Sequence, residues 1–382
     1  MGSVRRLAFW IPTVLAAASL SSACKASSST DTSGGGDESL WISEAEPPVH
    51  GEAKPLPKGV TPERESPQNV AFTFTAFGDA GWAKSHSPRP VYRAGFKRSF
   101  LAFSRPGNIL GDISYINWET SVGRRCDTFW SKPSATRFAF LTRPEELEDV
   151  VQVGFNLIGL ANNNSYDCIR SPEGNGPIQS YGHLTRILQN LRQKGTVALF
   201  SGVFLTPDHE APQVDFPVAG GQVPVRFLSA YVGGDAKHCR HIVCDRNLDQ
   251  FSPVMAKHAG LRVLALHSWD PRSHTRLKAI LRSWLEKGLV DIAIGSGPHV
   301  AESVKVIQTP RGSGVLATSL GNFIHPSLLP QPNNIALRAR WTYDPTRQVL
   351  RLHNLKTTKV RCDGEICRKG RTTTISLPSF AR

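Results

Sequence analysis

Between about residue 70 and residue 354, short apolar runs alternate with amphipathic stretches. Runs rich in Val, Ile, Leu and Phe predict strands at 72–77, 115–116, 157–160, 225–230, 263–266, 290–294 and 315–320. Leu184, Ile187, Leu188 and Leu191 recur at helical spacing ahead of Gly195. Leu277, Ile280, Leu281, Trp284 and Leu285 do the same ahead of Gly288. Each set makes one apolar stripe that must be buried, so both segments predict helices of the core. Strand and helix in alternation predict a layered α/β domain. The segments 336–343 and 349–354, joined through Asp344-Pro345-Thr346, read as a closing hairpin.

Polar residues punctuate the apolar runs at one end. Gly78-Asp79, Asn117-Trp118-Glu119, Asn162-Asn163-Asn164, His267, Pro298-His299 and Gly321-Asn322-Phe323 each follow such a run. Each has an ordinary alternative: Asp79 after glycine suits a turn, the three amides suit an Asn-rich loop, and a single buried histidine is usually structural. Taken in order, they deliver carboxylate, amide and imidazole to strand ends. A dinuclear metal centre for phosphate-type chemistry requires such a set.

The N-terminus is built differently. Arg5 and Arg6 precede an apolar stretch from Leu7 to Leu20, then Ser21-Ser22-Ala23-Cys24, so residues 1–24 have the layout of an export signal. Pro12 and the short apolar length argue against a spanning helix. Cys24 after a small residue is the expected lipidation point, with plain cleavage after Ala23 as the alternative. The protein is then expected in the periplasm or at the cell surface, anchored to the membrane by its N-terminal lipid. Residues 25–69, rich in Ser, Gly, Pro and Glu, bury too little apolar surface to offset their ordering entropy and read as a flexible tether.

Seven cysteines are present; setting Cys24 aside leaves six to pair in an oxidising compartment. Cys239 with Cys244 and Cys362 with Cys367 are near neighbours, which leaves Cys126 with Cys168, although six cysteines admit other connectivities. A zinc cluster of His238, Cys239, His241 and Cys244 is the rival reading. The net charge is +14, and since acidic residues outnumber basic ones in the tether, the body is the more basic part. That field favours an anionic polymer such as poly-γ-glutamate or a phosphorylated glycan. No nucleic-acid motif accompanies it, and a merely solvated basic surface is the plainer alternative.

From residue 72 to 350 the motifs resemble the capsule-synthesis protein CapA family, also called poly-γ-glutamate synthesis proteins, a branch related to the calcineurin-like metallophosphoesterases. The resemblance rests on Gly78-Asp79, on Asn117-Trp118-Glu119 where the family has Asn-Leu-Glu, and on Gly154 to Asn164 where it ends in Ala-Asn-Asn-His. It continues through Gly202, Glu210-Ala211, His267, Pro298-His299-Val300 and Ser319 to Phe323. It implies a single domain at 70–360 of four-layer α/β/β/α metallophosphoesterase-like form, followed by a C-terminal extension at 361–382 with the Cys362–Cys367 loop.

The resemblance also implies one metal on Asp79, Glu119 and His299 and a second on Glu119, Asn163 and His267, the ion being Mn, Mg, Zn or Fe. Asn164 and Asp167 fall at catalytic positions, and Asn117, Asn162 and Asn322 at supporting or substrate-binding ones. The implied work is synthesis or processing of a capsule or polyanionic envelope polymer, within an envelope complex, by metal-dependent hydrolysis or transfer. Two residues depart from the pattern: Asn164 and Gly297 stand where the family has histidines, and His267 is followed by Ser268-Trp269 rather than Trp-Gly. An amide exchanges no proton near neutral pH, which is worth about 10²–10⁴-fold of acid catalysis. The alternative expectation is therefore a catalytically degenerate polymer-binding or scaffold protein.

Overall fold

In chain order the principal strands are β1 (Val70–Ala80), β2 (Ile113–Trp118), β3 (Leu157–Gly159), β4 (Leu199–Ser201), β5 (Gln213–Val218), β6 (Gly221–Val232) and β7 (Leu261–Ser268). They continue as β8 (Ile292–Ser296), β9 (Val304–Thr309), β10 (Gly312–Ala317), β11 (Gln331–Asp344), β12 (Val349–Asp363) and β13 (Ile366–Ile375). The helices are α1 (Phe96–Ser104), α2 (Pro144–Gln152), α3 (Gly176–Arg192), α4 (Ser252–Lys257) and α5 (Pro271–Glu286). This computed structural model describes residues 69–81, 95–105, 109–131, 139–206, 210–325 and 331–378. The expected signal, Cys24 and all of the tether but residue 69 lie outside the described residues.

One seven-stranded sheet has the order β13-β12-β11-β1-β2-β3-β4, and a six-stranded sheet the order β9-β10-β8-β7-β6-β5. Strands β1 to β4 are parallel, as are β6, β7, β8 and β10. Alternate residues of each strand go to different cores. Phe72, Phe74 and Tyr115 of the first sheet pack with Val225, Phe227 and Val263 of the second. Phe77, Ile116 and Ile158 face α1, α2 and α3, while Leu228, Leu264 and Ala293 face α4 and α5. Strands covered on both faces must be apolar throughout, which is why they read as unbroken hydrophobic runs. The described body is a mixed α/β unit, and none of its described helices is long and apolar enough to cross a membrane.

The helices expected around 184–191 and 277–285 are α3 and α5. Helix α1 adds Phe96, Phe100 and Phe103 to a phenylalanine cluster that receives Phe323, whose ring centroid lies 4.5 Å from Phe77 and 5.0 Å from Phe103. The closing hairpin is longer than the pattern suggests. The boundary expected at residue 360 falls inside β12, and residues 366–375 pair with β12 as the edge strand β13. Thr357 and Thr358 opposite Thr373 and Thr372 keep strand propensity through this exposed stretch.

All three cysteine pairs lie at disulfide distance, with Cα separations of 5.7 Å for Cys126–Cys168, 5.5 Å for Cys239–Cys244 and 4.1 Å for Cys362–Cys367. The pairs fit an oxidising environment. The zinc alternative loses its thiolates to the Cys239–Cys244 bond, and His238 Nδ1 instead meets Asp235 Oδ1 at 2.7 Å. At the strand ends remote from the polar motifs, the fully buried Arg262 grips Asp291 through Nη2–Oδ1 at 2.9 Å and Nε–Oδ2 at 3.1 Å.

Two outcomes follow for stability. Replacing Cys126 and Cys168 together by serine removes a cross-link between positions 42 residues apart, and urea unfolding should show a loss of about 2–4 kcal/mol. Non-reducing peptide mapping should recover Cys126 joined to Cys168 and to no other cysteine. Asp291→Ala leaves the Arg262 guanidinium buried without its carboxylate, and the same titration should register a loss of about 3–5 kcal/mol.

Candidate metal centre

Parallel strands bring their C-terminal ends to one edge, and the polar motifs sit there. Asp79 is near the end of β1, Glu119 follows β2, Asn163 and Asn164 follow β3, His267 is near the end of β7, and His299 lies past β8. Asn322 lies past β10 and pairs with Asp79 as an isolated bridge between the two chain segments. The Asp79 N–H donates to the Gly321 carbonyl at 2.9 Å, and the Phe323 N–H donates to the Asp79 carbonyl at 2.7 Å. The approach is so close that a Cβ on Gly78 would stand 1.8 Å from the Gly321 oxygen. The glycine ahead of Asp79 is therefore a packing requirement.

Asp79 is held from both sides. Its Oδ1 accepts from Asn117 Nδ2 at 2.6 Å and its Oδ2 from the Gly297 N–H at 3.0 Å. Gly297 has φ 116°, and a Cβ there would lie 1.7 Å from the Ser268 carbonyl oxygen. A histidine at 297, as the resemblance would have it, has no room on this backbone. The position contributes a main-chain donor in place of a ligand.

His267 lies between the carboxylates, with Nδ1 3.5 Å from Asp79 Oδ1 and Nε2 3.5 Å from Glu119 Oε1. Ser296 Oγ is 2.9 Å from its Nδ1, and Asn163 Oδ1 is 2.6 Å from its Nε2. Glu119 Oε1 accepts from Asn164 Nδ2 at 3.4 Å. The other Glu119 oxygen is buried without a hydrogen-bond partner, 4.0 Å from His299 Nδ1 and 3.7 Å from His325 Nε2. His299 Nδ1 is 3.8 Å from Asp79 Oδ2 and 2.7 Å from Asn322 Oδ1. Ligand atoms of Asp79, Glu119 and His299 all lie within 4.8 Å of one another.

Two carboxylates buried this closely divide their protons unequally. Burial raises the Asp79 carboxyl, but the charge and hydrogen bond of His267, then His299 and Asn117, outweigh burial and hold it at about 2. Burial and then the charge of Asp79 push Glu119 well above the ordinary glutamate range. Burial and then the charge of His299 drive His325 down to about 3, so its imidazole is neutral near neutral pH.

The remaining expected residues have distinct places. Asn162 caps the short turn Asn163–Tyr166, accepting from the Asn164 N–H at 3.1 Å and donating to the Trp118 carbonyl at 2.9 Å. Asp167 accepts from the Phe140 N–H at 2.7 Å, and its carbonyl accepts from the Trp130 N–H at 2.8 Å, so it braces neighbouring loops. Its carboxyl is pushed well up by burial. Ser296 and His325 carry little mark in the sequence; His325 follows the Gly321-Asn322-Phe323 motif by two residues, which is its only signal. His299 at φ 57° and Ile324 at φ 43° hold left-handed backbone without being glycine, a strain of about 1–3 kcal/mol each that characteristically gathers at functional sites. His299 is also the more open group, its side chain 20% exposed, and Trp269, 60% exposed, stands beside it with ring centroids 6.3 Å apart.

No family model and no curated protein matches the chain. Among solved structures it is similar to the crystal structure of a hypothetical protein from Thermus thermophilus, at 10% identity over 79% of this chain and 98% of that one. The TM-score is 0.38, too low to bear on fold or function.

Proposed function

We propose that the chain is an exported, CapA-like protein that hydrolyses or transfers a unit of a polyanionic envelope polymer at a divalent-metal centre. The observation that carries this reading is the convergence of Asp79, Glu119 and His299 around a buried Glu119 oxygen that has no donor. A carboxylate oxygen in that state is costly unless a cation or a proton meets it. The donor set fits: two carboxylates and an imidazole suit Mn, Mg, Zn or Fe. Two sheets packed face to face with helices outside also support a four-layer α/β/β/α metallophosphoesterase-type arrangement. The cysteine pairs and the N-terminal pattern support export, with Cys24 as lipid anchor at the periplasm or cell surface.

Asp79, Glu119 and His299 would hold one ion, and Glu119, Asn163 and His267 a second. When bound, such an ion supplies Lewis-acid polarisation of the scissile group and activation of water. The chain's own residues set the geometry. Asn117 and the Gly297 N–H fix the Asp79 oxygens, Ser296 fixes His267, and Asn322 fixes His299. Asn164 offers a hydrogen-bond donor where the family has an acid, so it stabilises charge without transferring a proton. That amide is also the observation favouring the second reading, a degenerate polymer-binding or scaffold protein of an envelope complex.

Protein purified without chelator should carry stoichiometric divalent metal by elemental analysis, and Asp79→Ala should lose it. Negligible metal in both would overturn the reading. Glu119 must release its proton to bind, so affinity should fall as pH is lowered and calorimetry in two buffers should show proton release. A carboxyl raised on folding stabilises fully below its unfolded value and less as pH climbs through the folded one. Metal-free protein should therefore weaken as pH rises out of the ordinary glutamate range and recover when metal is added.

Asn164→His returns a proton donor. On an aryl phosphodiester it should raise turnover about 10²-fold or more at unchanged metal content. No gain, with the fold intact by circular dichroism, decides for the scaffold.

A further inference from the structure

We infer that a basic, aromatic recess beside the metal centre, lined by Trp130, Tyr166, Lys237, His238 and Arg240, binds a phosphate-bearing sugar unit of the polymer. The inference rests on the reading of a polyanionic substrate and specifies its class. The recess encloses about 120 Å³, room for one acidic unit of a chain rather than a folded partner. Its two walls are loops stiffened by separate disulfides. Trp130 lies near the Cys126–Cys168 bond, and Lys237, His238 and Arg240 surround Cys239 of the Cys239–Cys244 bond. Walls fixed before binding lose little conformational freedom when a ligand arrives.

Two of the three basic groups are uncompensated. Among the described residues His238 has a carboxylate partner, Asp235 at 2.7 Å, whereas no ion pair engages Lys237 or Arg240. The Lys237 ammonium lies 5.1 Å over the Trp130 ring, and the His238 ring is 5.1 Å from Trp130 and 5.7 Å from Tyr166. Trp130 nonetheless remains 49% exposed. An open indole beside two unpaired cations suits a ligand with an apolar ring face and an attached anion. Phosphorylated sugars have both; a γ-linked glutamate chain has the anions and no ring.

The recess adjoins the metal centre through one turn and one layer of side chains. Tyr166 closes the turn that begins at Asn163. It packs in the same cluster as Tyr231, whose ring centroid is 6.1 Å from that of His267. A polymer unit held by Trp130 and Arg240 would therefore place the adjoining linkage toward Asn163 and His267.

The test measures binding by fluorescence anisotropy, on the full chain, of three labelled probes: a phosphodiester-linked oligosaccharide, the same glycan without phosphate, and a γ-linked glutamate oligomer. The phosphorylated glycan should bind tightest. Lys237→Glu with Arg240→Glu should weaken it about tenfold or more, and Trp130→Ala several-fold. Lys97→Glu with Arg98→Glu, an equal charge change on the exposed face of α1, should leave it within about twofold. Should the double glutamate variant misfold, Lys237→Gln with Arg240→Gln serves in its place, both disulfides being confirmed by peptide mapping. Equal weakening by the α1 variant, insensitivity to the recess variants, equal or tighter binding of the glutamate oligomer, or no binding of any probe would overturn the assignment. Metal content is read on the same samples, so an absent metal, which defeats the hydrolytic reading, is distinguished from an absent subsite.

Discussion

The whole site depends on a main-chain contact. Where β1 ends, Gly78 and Asp79 run against Gly321 and Asn322, so the first sheet is stitched at its edge to the segment leaving the second. No side chain participates in that stitch, and none fits at Gly78. Its effect is to fix the place of one carboxylate relative to residues more than two hundred positions later in the chain. Phe323 then seats the same segment among the phenylalanines of α1 and β1, so that the hydrophobic core, and not a loop, determines where Asn322 and His325 stand. The precision of the centre comes from layers packed at crystal-like density.

On that frame the electrostatics are deliberately unbalanced. Asp79 receives two hydrogen bonds and two imidazole neighbours and is held low, while Glu119, with one long hydrogen bond and a bare oxygen, is pushed well up by burial and the charge of Asp79. The two carboxyls of one site are thus set apart in proton affinity by their different surroundings. The groups that orient these side chains are neutral: Asn117, Ser296 and Asn322 fix the carboxylate and the two rings without adding charge.

The strand-end motifs were legible in the sequence because β1, β2, β3, β7 and β8 are covered on both faces, so their unbroken apolar runs make the terminal polar residue conspicuous. Helices α3 and α5 were legible because each spans several turns of a single stripe. Helices α1 and α2 were not, since nine residues give too few periods to separate from noise. Strand β13 falls in the segment expected only as a C-terminal extension, where Arg368, Lys369 and Arg371 break any apolar run, and pairing with β12 supplies the order its composition does not announce. The most important group missed was the Gly297 N–H, because a backbone donor has no letter of its own. Asp167 illustrates the reverse: an acid close to the motif whose visible task is to hold Phe140 and Trp130.

The crowding at Gly297 bears on how this chain can change over generations. Its Cα passes so near the Ser268 carbonyl that any side chain must first displace the strand end carrying His267. A lineage on this path cannot acquire an imidazole there by one substitution, since the intermediate would disturb Asp79 and His267 together. Asn164 stands on backbone that any residue adopts, outside the left-handed region, and already carries a side chain. Divergence among descendants should thus be lopsided, with the glycine side of the centre the more entrenched.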